Sequence, residues 1–368
     1  MDRGTVMRPR VLIVGDLSAP YEIFRRGFEP LAERGFHIIG INWSLKNYEE
    51  LTAINRAVEK QGPEAVEVPA EIREAIAAAD ILAVQFCPVT RRVMENAERL
   101  KVIGVMRAGA ENVDLSAARR LGIGVLNVKG RNAQAVAEFA LGLLLSETQN
   151  IARAHHGLCR RRLTKAWWNL NDPLQISNKV FGIVGLGEVG RRFARLLRGF
   201  DMGKILVHDP EVSVEAVRSV GGEPATLEEL CRESDFISVH ARLNAETRRL
   251  ISYRQIELMK PNCYIINTAR AEIINEEAIV TALREGRIGG ACLDVFEVEP
   301  LPPHNPFIRL ENVTITPHLA GKTADSVERS ASLLTEDFLR LLNGEKARNT
   351  LTRDVMDSID WRHVFERS

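Results

Sequence analysis

Cysteine is scarce in this chain: five residues in 368, at positions 87, 159, 231, 263 and 292, with no Cys-x-x-Cys spacing. So scattered a set builds neither a disulfide framework nor a zinc site, and it fits reduced thiols in a cytoplasmic protein. Cys263 and Cys292 fall inside apolar runs and read as small core residues, and Cys87 at a strand end reads the same way. Net charge is missing too, because 49 Lys plus Arg balance 49 Asp plus Glu. Without a basic surplus, nucleic acid and anionic membrane surfaces are poor partners for the chain as a whole. Long apolar runs are absent as well. The first, Val11-Leu-Ile-Val14, is too short for a secretory signal and leads straight into a glycine. The most apolar helical stretch, Ala135–Ser146, contains Glu138 and falls short of the roughly 20 residues a membrane span needs. No internal repeat or low-complexity segment is visible, and no metal site is expected.

What remains is ordinary globular material, 45% hydrophobic and 27% charged, with length for roughly two domains of about 150 residues. Short apolar strands alternate with helical patterns almost throughout, which indicates α/β architecture with parallel sheets. In the first third, strands are expected at Arg10–Val14, Ile38–Ile41, Ile81–Gln85, Val102–Met106 and Val125–Val128, with helices at Glu71–Ala79 and Leu115–Leu121. A second set runs through Val180–Val184, Lys204–His208, Phe236–His240, Tyr264–Asn267, Gly290–Asp294 and Val313–Thr316. Between the sets, Asn132–Ile151 reads as one long helix that links domains, packs on a second subunit or simply fills the core. The basic stretch Arg153–Lys165, ahead of Trp167 and Trp168, reads as a solvated helix end and surface loop. A helix over Ser326–Asn343 and a short polar tail, Gly344–Ser368, close the chain.

The second set opens with Val180-Phe-Gly-Ile-Val-Gly-Leu-Gly-Glu-Val-Gly190. Gly185, Gly187 and Gly190 form G-x-G-x-x-G: the first allows the turn, the second admits a pyrophosphate to the backbone, and the third lets helix pack on strand. The helix N-terminus then offers unpaired N–H groups to the phosphates. The next strand ends in Asp209, 19 residues after Gly190, where a ribose-binding carboxylate belongs. Asp209 repels a 2′-phosphate, and Pro210-Glu-Val-Ser213 holds no Arg or Lys to neutralise one. The expected cofactor is therefore NAD rather than NADP.

Three polar residues follow later strands of this set, at the edge where open α/β sheets bind ligands: Arg270, Glu299 and His318. An arginine offers a fixed fork to a carboxylate, a histidine trades a proton near neutral pH, and a carboxylate beside it favours the imidazolium. Each alone also suits a surface salt bridge or a loop cap, and spacing does not bring them together.

The segments Gly182–Gly190, Ile266-Asn-Thr-Ala-Arg270, Gly290-Ala-Cys-Leu-Asp-Val-Phe-Glu-Val-Glu-Pro300 and Thr316-Pro-His-Leu-Ala-Gly321 together resemble the D-isomer-specific 2-hydroxyacid dehydrogenases, the phosphoglycerate dehydrogenase-like family. Weaker matches are Gly109–Asp114 and Ala135–Gly142. The resemblance implies a Rossmann dinucleotide-binding domain, residues 127–321, inserted into a smaller flavodoxin-like substrate domain made of 1–126 and 322–368. It implies a homodimer through the NAD domain and the helix of residues 132–151. By the same resemblance, Arg270 binds the substrate's carboxylate and carbonyl, His318 is the acid–base and Glu299 its partner. Asp294 holds the nicotinamide carboxamide, Thr268 and Ala269 line the nicotinamide, and Glu188 and Val189 lie under the pyrophosphate. The backbone at Ala108 and Gly109 meets the substrate carboxylate. A glutamate at 299 separates the chain from related formate dehydrogenases, which resemble it but carry glutamine there. The long regulatory extension of some phosphoglycerate dehydrogenases is not expected.

The expected reaction interconverts a D-2-hydroxy acid and its 2-oxo acid. The loop Val84–Thr90 departs from the small turn common in the family, and Arg107 adds positive charge before Ala108. Both hint at a second carboxylate, a phosphate or a sugar-acid chain on the substrate. Rival expectations are an oxidation embedded in sugar-acid isomerisation or decarboxylation, and an NAD-sensing corepressor that binds peptides.

Overall fold

The computed structural model describes residues 8–161 and 175–365. The chain forms two compact units, Met1–Arg131 with Thr323–Ser368, and Asn132–Lys322. The second is therefore inserted into the first.

The first unit holds five strands: β1 Arg10–Gly15, β2 His37–Asn42, β3 Ile81–Val84, β4 Val102–Val105 and β5 Gly124–Asn127. They lie parallel in the order β2-β1-β3-β4-β5, the flavodoxin-like doubly wound arrangement. Every residue of β3, β4 and β5 is buried, so these strands read as unbroken apolar runs rather than alternations. Side chains at alternate positions feed two cores. Leu12, Val14, Leu82 and Ile103 pack with Ile72, Ile76 and Ala117 from the helices Ala70–Ala77 and Leu115–Arg120. Val11, Ile13, Ile81 and Val102 pack on the other face with Phe24, Phe28, Leu334 and Phe338. Leu334 and Phe338 belong to the helix Ala324–Leu342, whose N-cap Thr323 accepts at Oγ1 from Ser326 N at 3.2 Å.

The polar tail expected after Gly344 is corrected by this unit. A helix at Arg353–Ser358 buries Val355 and Met356, Trp361 is buried beside them, and its Nε1 donates to Met356 O at 2.8 Å. Too few apolar residues mark this stretch for periodicity to reveal it.

The second unit holds β6 Val180–Val184, β7 Lys204–His208, β8 Glu223–Pro224, β9 Phe236–Val239, β10 Tyr264–Asn267, β11 Gly290–Leu293 and β12 Val313–Ile315. The order is β12-β11-β10-β9-β6-β7-β8, all parallel, and it reverses between β6 and β9. This is the Rossmann arrangement, whose ligand crevice lies outside the strands' carboxyl ends at the reversal. β8 carries no apolar signal because it is two exposed residues at the sheet edge.

The single helix expected over Asn132–Ile151 is two, Ala133–Thr148 and Ile151–Cys159. Asn150 between them adopts the left-handed conformation, φ 56°, which ends the first helix. Ala137, Ala140 and Leu144 of the first helix pack on Phe181, Ile183 and Phe193, so this face fills the core. Arg153 is corrected too. It is not a solvated end: it pairs with buried Glu147. Residues 162–165 of the basic stretch, with Trp167 and Trp168, lie outside the described residues. No helix among the described residues is long and apolar enough to cross a membrane.

Candidate active site

The apolar strand β6 delivers the chain into Gly185, whose φ of 93° suits glycine. A Cβ there would come within 2.5 Å of Ala241 N, and one on Gly190 would collide with Gly185 O. Both positions are therefore closed to side chains. Gly187 differs: nothing lies within 4 Å of where its Cβ would be, and it caps the helix Glu188–Leu197. A bare, approachable backbone at a helix N-terminus is what a pyrophosphate requires. Glu188 pairs with Arg192 at 2.5 Å, and half-buried Val189 packs against the core. Asp209 follows β7; its Oδ2 accepts from Leu186 N at 2.7 Å and its Oδ1 from Glu211 N at 3.0 Å. The acid thus braces the glycine turn itself, a link that spacing alone did not reveal. After β10, buried Thr268 has an Oγ1 without a partner, and Ala269 N donates to Asn267 Oδ1 at 3.0 Å. An orphaned hydroxyl, a side-chain-free cradle and a braced carboxylate fit a dinucleotide.

The acid–base candidates converge at the ends of β10, β11 and β12. His318 Nδ1 lies 2.9 Å from Glu299 Oε2, and Glu299 Oε1 accepts from Phe296 N at 3.0 Å. Both carboxylate oxygens are thereby fixed. Burial pushes the Glu299 carboxyl up, but the bonds from His318 and Phe296 and the charges of His318 and Arg270 outweigh it. The group sits below the usual glutamate range, so it is ionised beside the imidazole. Arg270 is exposed, with Nη1 donating to Ala269 O at 2.7 Å and its own carbonyl held by Asn267 Nδ2 at 2.9 Å. Its charge acts on Glu299 and helps hold that carboxyl ionised.

Asp294 organises the turn that carries His318. It has no exposed surface; its Oδ1 accepts from Thr316 Oγ1 at 2.6 Å and Leu319 N at 2.8 Å, and its Oδ2 from Ala320 N at 2.9 Å. Its backbone oxygen takes the His318 N–H at 2.9 Å, and His318 itself is left-handed, φ 53°. Sequence reasoning missed Asn267 and Thr316, and only their place at strand ends beside Arg270 and His318 marked them.

In the first unit, Ala108 and Gly109 follow β4, where Ala108 O accepts from Asn127 Nδ2 at 2.5 Å. Arg107 is mostly buried. It donates to Glu111 Oε2 at 3.0 Å and lies over the Phe86 ring, 4.5 Å from its centroid.

A family model described as the NAD binding domain of D-isomer specific 2-hydroxyacid dehydrogenases matches residues 141–320. A D-3-phosphoglycerate dehydrogenase from Methanocaldococcus jannaschii is 38% identical over 283 residues, 76% of this chain and 53% of that protein. The chain thus spans about half the length of that relative. A glyoxylate reductase from Aeropyrum pernix is 35% identical over 272 residues, covering 72% of this chain and 80% of its own. A crystal structure of a Thermus thermophilus protein superposes with a TM-score of 0.68 at 30% identity, covering 93% of this chain and 99% of that one. The glycine turn, the strand order and these relatives agree: the chain belongs to the D-isomer-specific 2-hydroxyacid dehydrogenase family and carries its NAD-binding domain.

Proposed function

We propose that this enzyme interconverts a D-2-hydroxy acid and its 2-oxo acid with NAD. The observation that carries the proposal is the 2.9 Å pairing of His318 Nδ1 with an ionised Glu299. NAD, when bound, accepts or supplies the hydride. Gly185, Gly187, Glu188, Val189 and Gly190 would hold its pyrophosphate and Asp209 a ribose. Thr268, Ala269 and a remaining lone pair of Asp294 would hold the nicotinamide end. Asp209, with no Arg or Lys at 210–213, favours NAD over NADP.

The unit formed by 1–131 and 323–368 is assigned to substrate, and the inserted unit to cofactor. Arg270 grips the carboxylate and polarises the carbonyl, while backbone at Ala108 and Gly109 takes the carboxylate. With Nδ1 engaged by Glu299, His318 exchanges its proton through Nε2, giving it to the carbonyl oxygen in reduction and taking it back in oxidation. Glu299 holds the ring in one orientation through Nδ1 and sets its own negative charge beside it. The working form is a homodimer in which a second copy covers Ile151 and Leu158, each 58% exposed. Five free cysteines, four of them buried, suit the cytoplasm.

The test is NADH formation at 340 nm across D- and L-2-hydroxy acids. A D-selective substrate lost in His318→Ala supports the reaction. An L-selective one, or full turnover in the variant, overturns it.

A further inference from the structure

Across its middle the second sheet runs β11-β10-β9-β6-β7. The residues assigned to the cofactor sit at the ends of four of these strands. Asp209 follows β7, the glycine turn follows β6, Thr268 and Ala269 follow β10, and Asp294 follows β11. A dinucleotide that reaches from Asp209 to Thr268 crosses the end of β9, which lies between β6 and β10. That end continues as His240-Ala241-Arg242. It abuts the glycine turn, because His240 N donates to Val184 O at 2.8 Å and Ala241 N is the atom that closes Gly185 to a side chain. The backbone of Arg242 is held in place. Thr247 Oγ1 donates to its carbonyl at 2.6 Å and itself accepts from Asn244 N at 2.8 Å. The Arg242 side chain is exposed, and no described acid pairs with it.

A pyrophosphate brings two negative charges to an edge that already carries some. Glu188 opens the helix beside Gly187 with its side chain 59% exposed. Arg192, at 2.5 Å, balances that carboxylate and has no charge left over for a ligand. His240 adds none: burial pushes its pKa down to about 3, so the ring is neutral. The helix N-terminus contributes about half a positive charge. Arg191 is half-buried and lies a turn beyond Gly187 along the helix. Arg242 is the exposed guanidinium on the strand end that the cofactor crosses. It also stands on the far side of β6 from Asp209. A 2′-phosphate belongs to the ribose at Asp209, so it is not the group Arg242 faces.

We propose that Arg242 is the counter-charge of the cofactor's pyrophosphate, holding it where the dinucleotide passes from Gly187 toward Thr268 and Ala269. This rests on the reading of the glycine turn as the NAD site and adds a residue of the next loop to it.

The test is calorimetric titration of the whole chain, without substrate, with NADH, NADPH and ADP-ribose. Arg242→Gln should raise the Kd for NADH and for ADP-ribose about tenfold or more, as loss of a charge-assisted bond predicts. The Kd for NADPH should rise by the same factor. Wild-type affinity for NADH should fall with added salt, and the variant's should fall less. Arg242→Lys keeps the charge and should recover part of the loss. Equal Kd values in wild type and Arg242→Gln overturn the proposal and leave the NAD site standing. A loss confined to NADPH, or one that appears only in the KM of the acid substrate, also overturns it. So does a loss in Arg191→Gln that Arg242→Gln does not share. If Arg242→Gln folds poorly by circular dichroism, the wild type decides: NADH binding that is insensitive to salt overturns the counter-charge. Absence of NADH binding in the wild type overturns the NAD reading and Arg242 with it.

Discussion

Arg153 Nη2 donates to both oxygens of Glu147, at 2.7 Å and 2.8 Å, and Glu147 has no exposed surface. Thr314 Oγ1 from β12 adds a third bond to Oε2 at 2.5 Å. The pair clamps the helix Ile151–Cys159 to the helix Ala133–Thr148 across the left-handed Asn150, and Arg153 also donates to Asn150 Oδ1. Arg153→Ala leaves a buried carboxylate without its counter-charge, held by the Thr314 hydroxyl alone. It should destabilise the protein by about 3–5 kcal/mol, read by urea unfolding. Replacing both, Glu147→Leu with Arg153→Met, should cost much less, because no charge is left stranded. If the double change costs as much as the single, stranded charge is not the cause.

The same pair marks what was legible in the sequence and what was not. Strands β3 to β6 and β9 to β11 announced themselves because both their faces are buried, which forces unbroken apolar runs such as Ile81-Leu-Ala-Val84. The glycine turn was legible because Gly185 and Gly190 tolerate no side chain. Contacts between residues distant in the chain were not. Nothing in the composition of 132–151 shows that Arg153 turns back to Glu147, so the helix break stayed hidden. Arg270, Glu299 and His318 could be picked out by their places at strand ends, but only the fold brings His318 onto Glu299. Gln85 Nε2 donates to Ser18 Oγ, which donates to Asp16 Oδ1, and this chain spans 67 positions from Ser18 to Gln85 with no local signature.

His318→Ala should lower kcat by about 10²–10⁴, the range for a positioned acid–base, with the fold retained because the ring is about half exposed. Single-turnover rates with NADH prebound separate this from slow product release. Wild-type rates in the variant would falsify the assignment.

Glu299→Gln tests the partner separately. Glu299 sits below the usual glutamate range, so its charge persists through the working pH range and is lost only as pH falls through that depressed value. The negative charge beside the ring is therefore present at neutral pH and absent in the glutamine variant. Glu299→Gln should lower kcat for reduction about tenfold or more at neutral pH with the substrate KM little changed. An equal loss in Glu299→Gln and Glu299→Leu that appears only in KM would make Glu299 a packing group instead.

Asp209→Ala should raise the KM for NAD about tenfold or more and narrow its advantage over NADP. It should also lower the melting temperature, because Leu186 N loses its 2.7 Å acceptor inside the glycine turn. A ribose-binding acid with no structural role would give the first effect without the second. Equal catalytic efficiency of the wild type with both cofactors would remove the basis for the preference.

Asp16→Asn offers a gain in stability that depends on pH. Burial holds the Asp16 carboxyl above its ordinary range, although the Ser18 and Ala19 bonds and the Arg107 charge pull the other way. A carboxyl whose folded pKa exceeds its unfolded value, about 3.9, binds its proton more tightly in the folded state. The wild type therefore loses stability as pH rises from about 4 through the raised value, and does not regain it above. Asparagine has no proton to lose, and it keeps an oxygen for Ser18 and Ala19. The variant should match the wild type below about pH 4 and exceed it at pH 8, read by thermal melts across that range. A variant less stable at every pH would mean that Asp16 is structural.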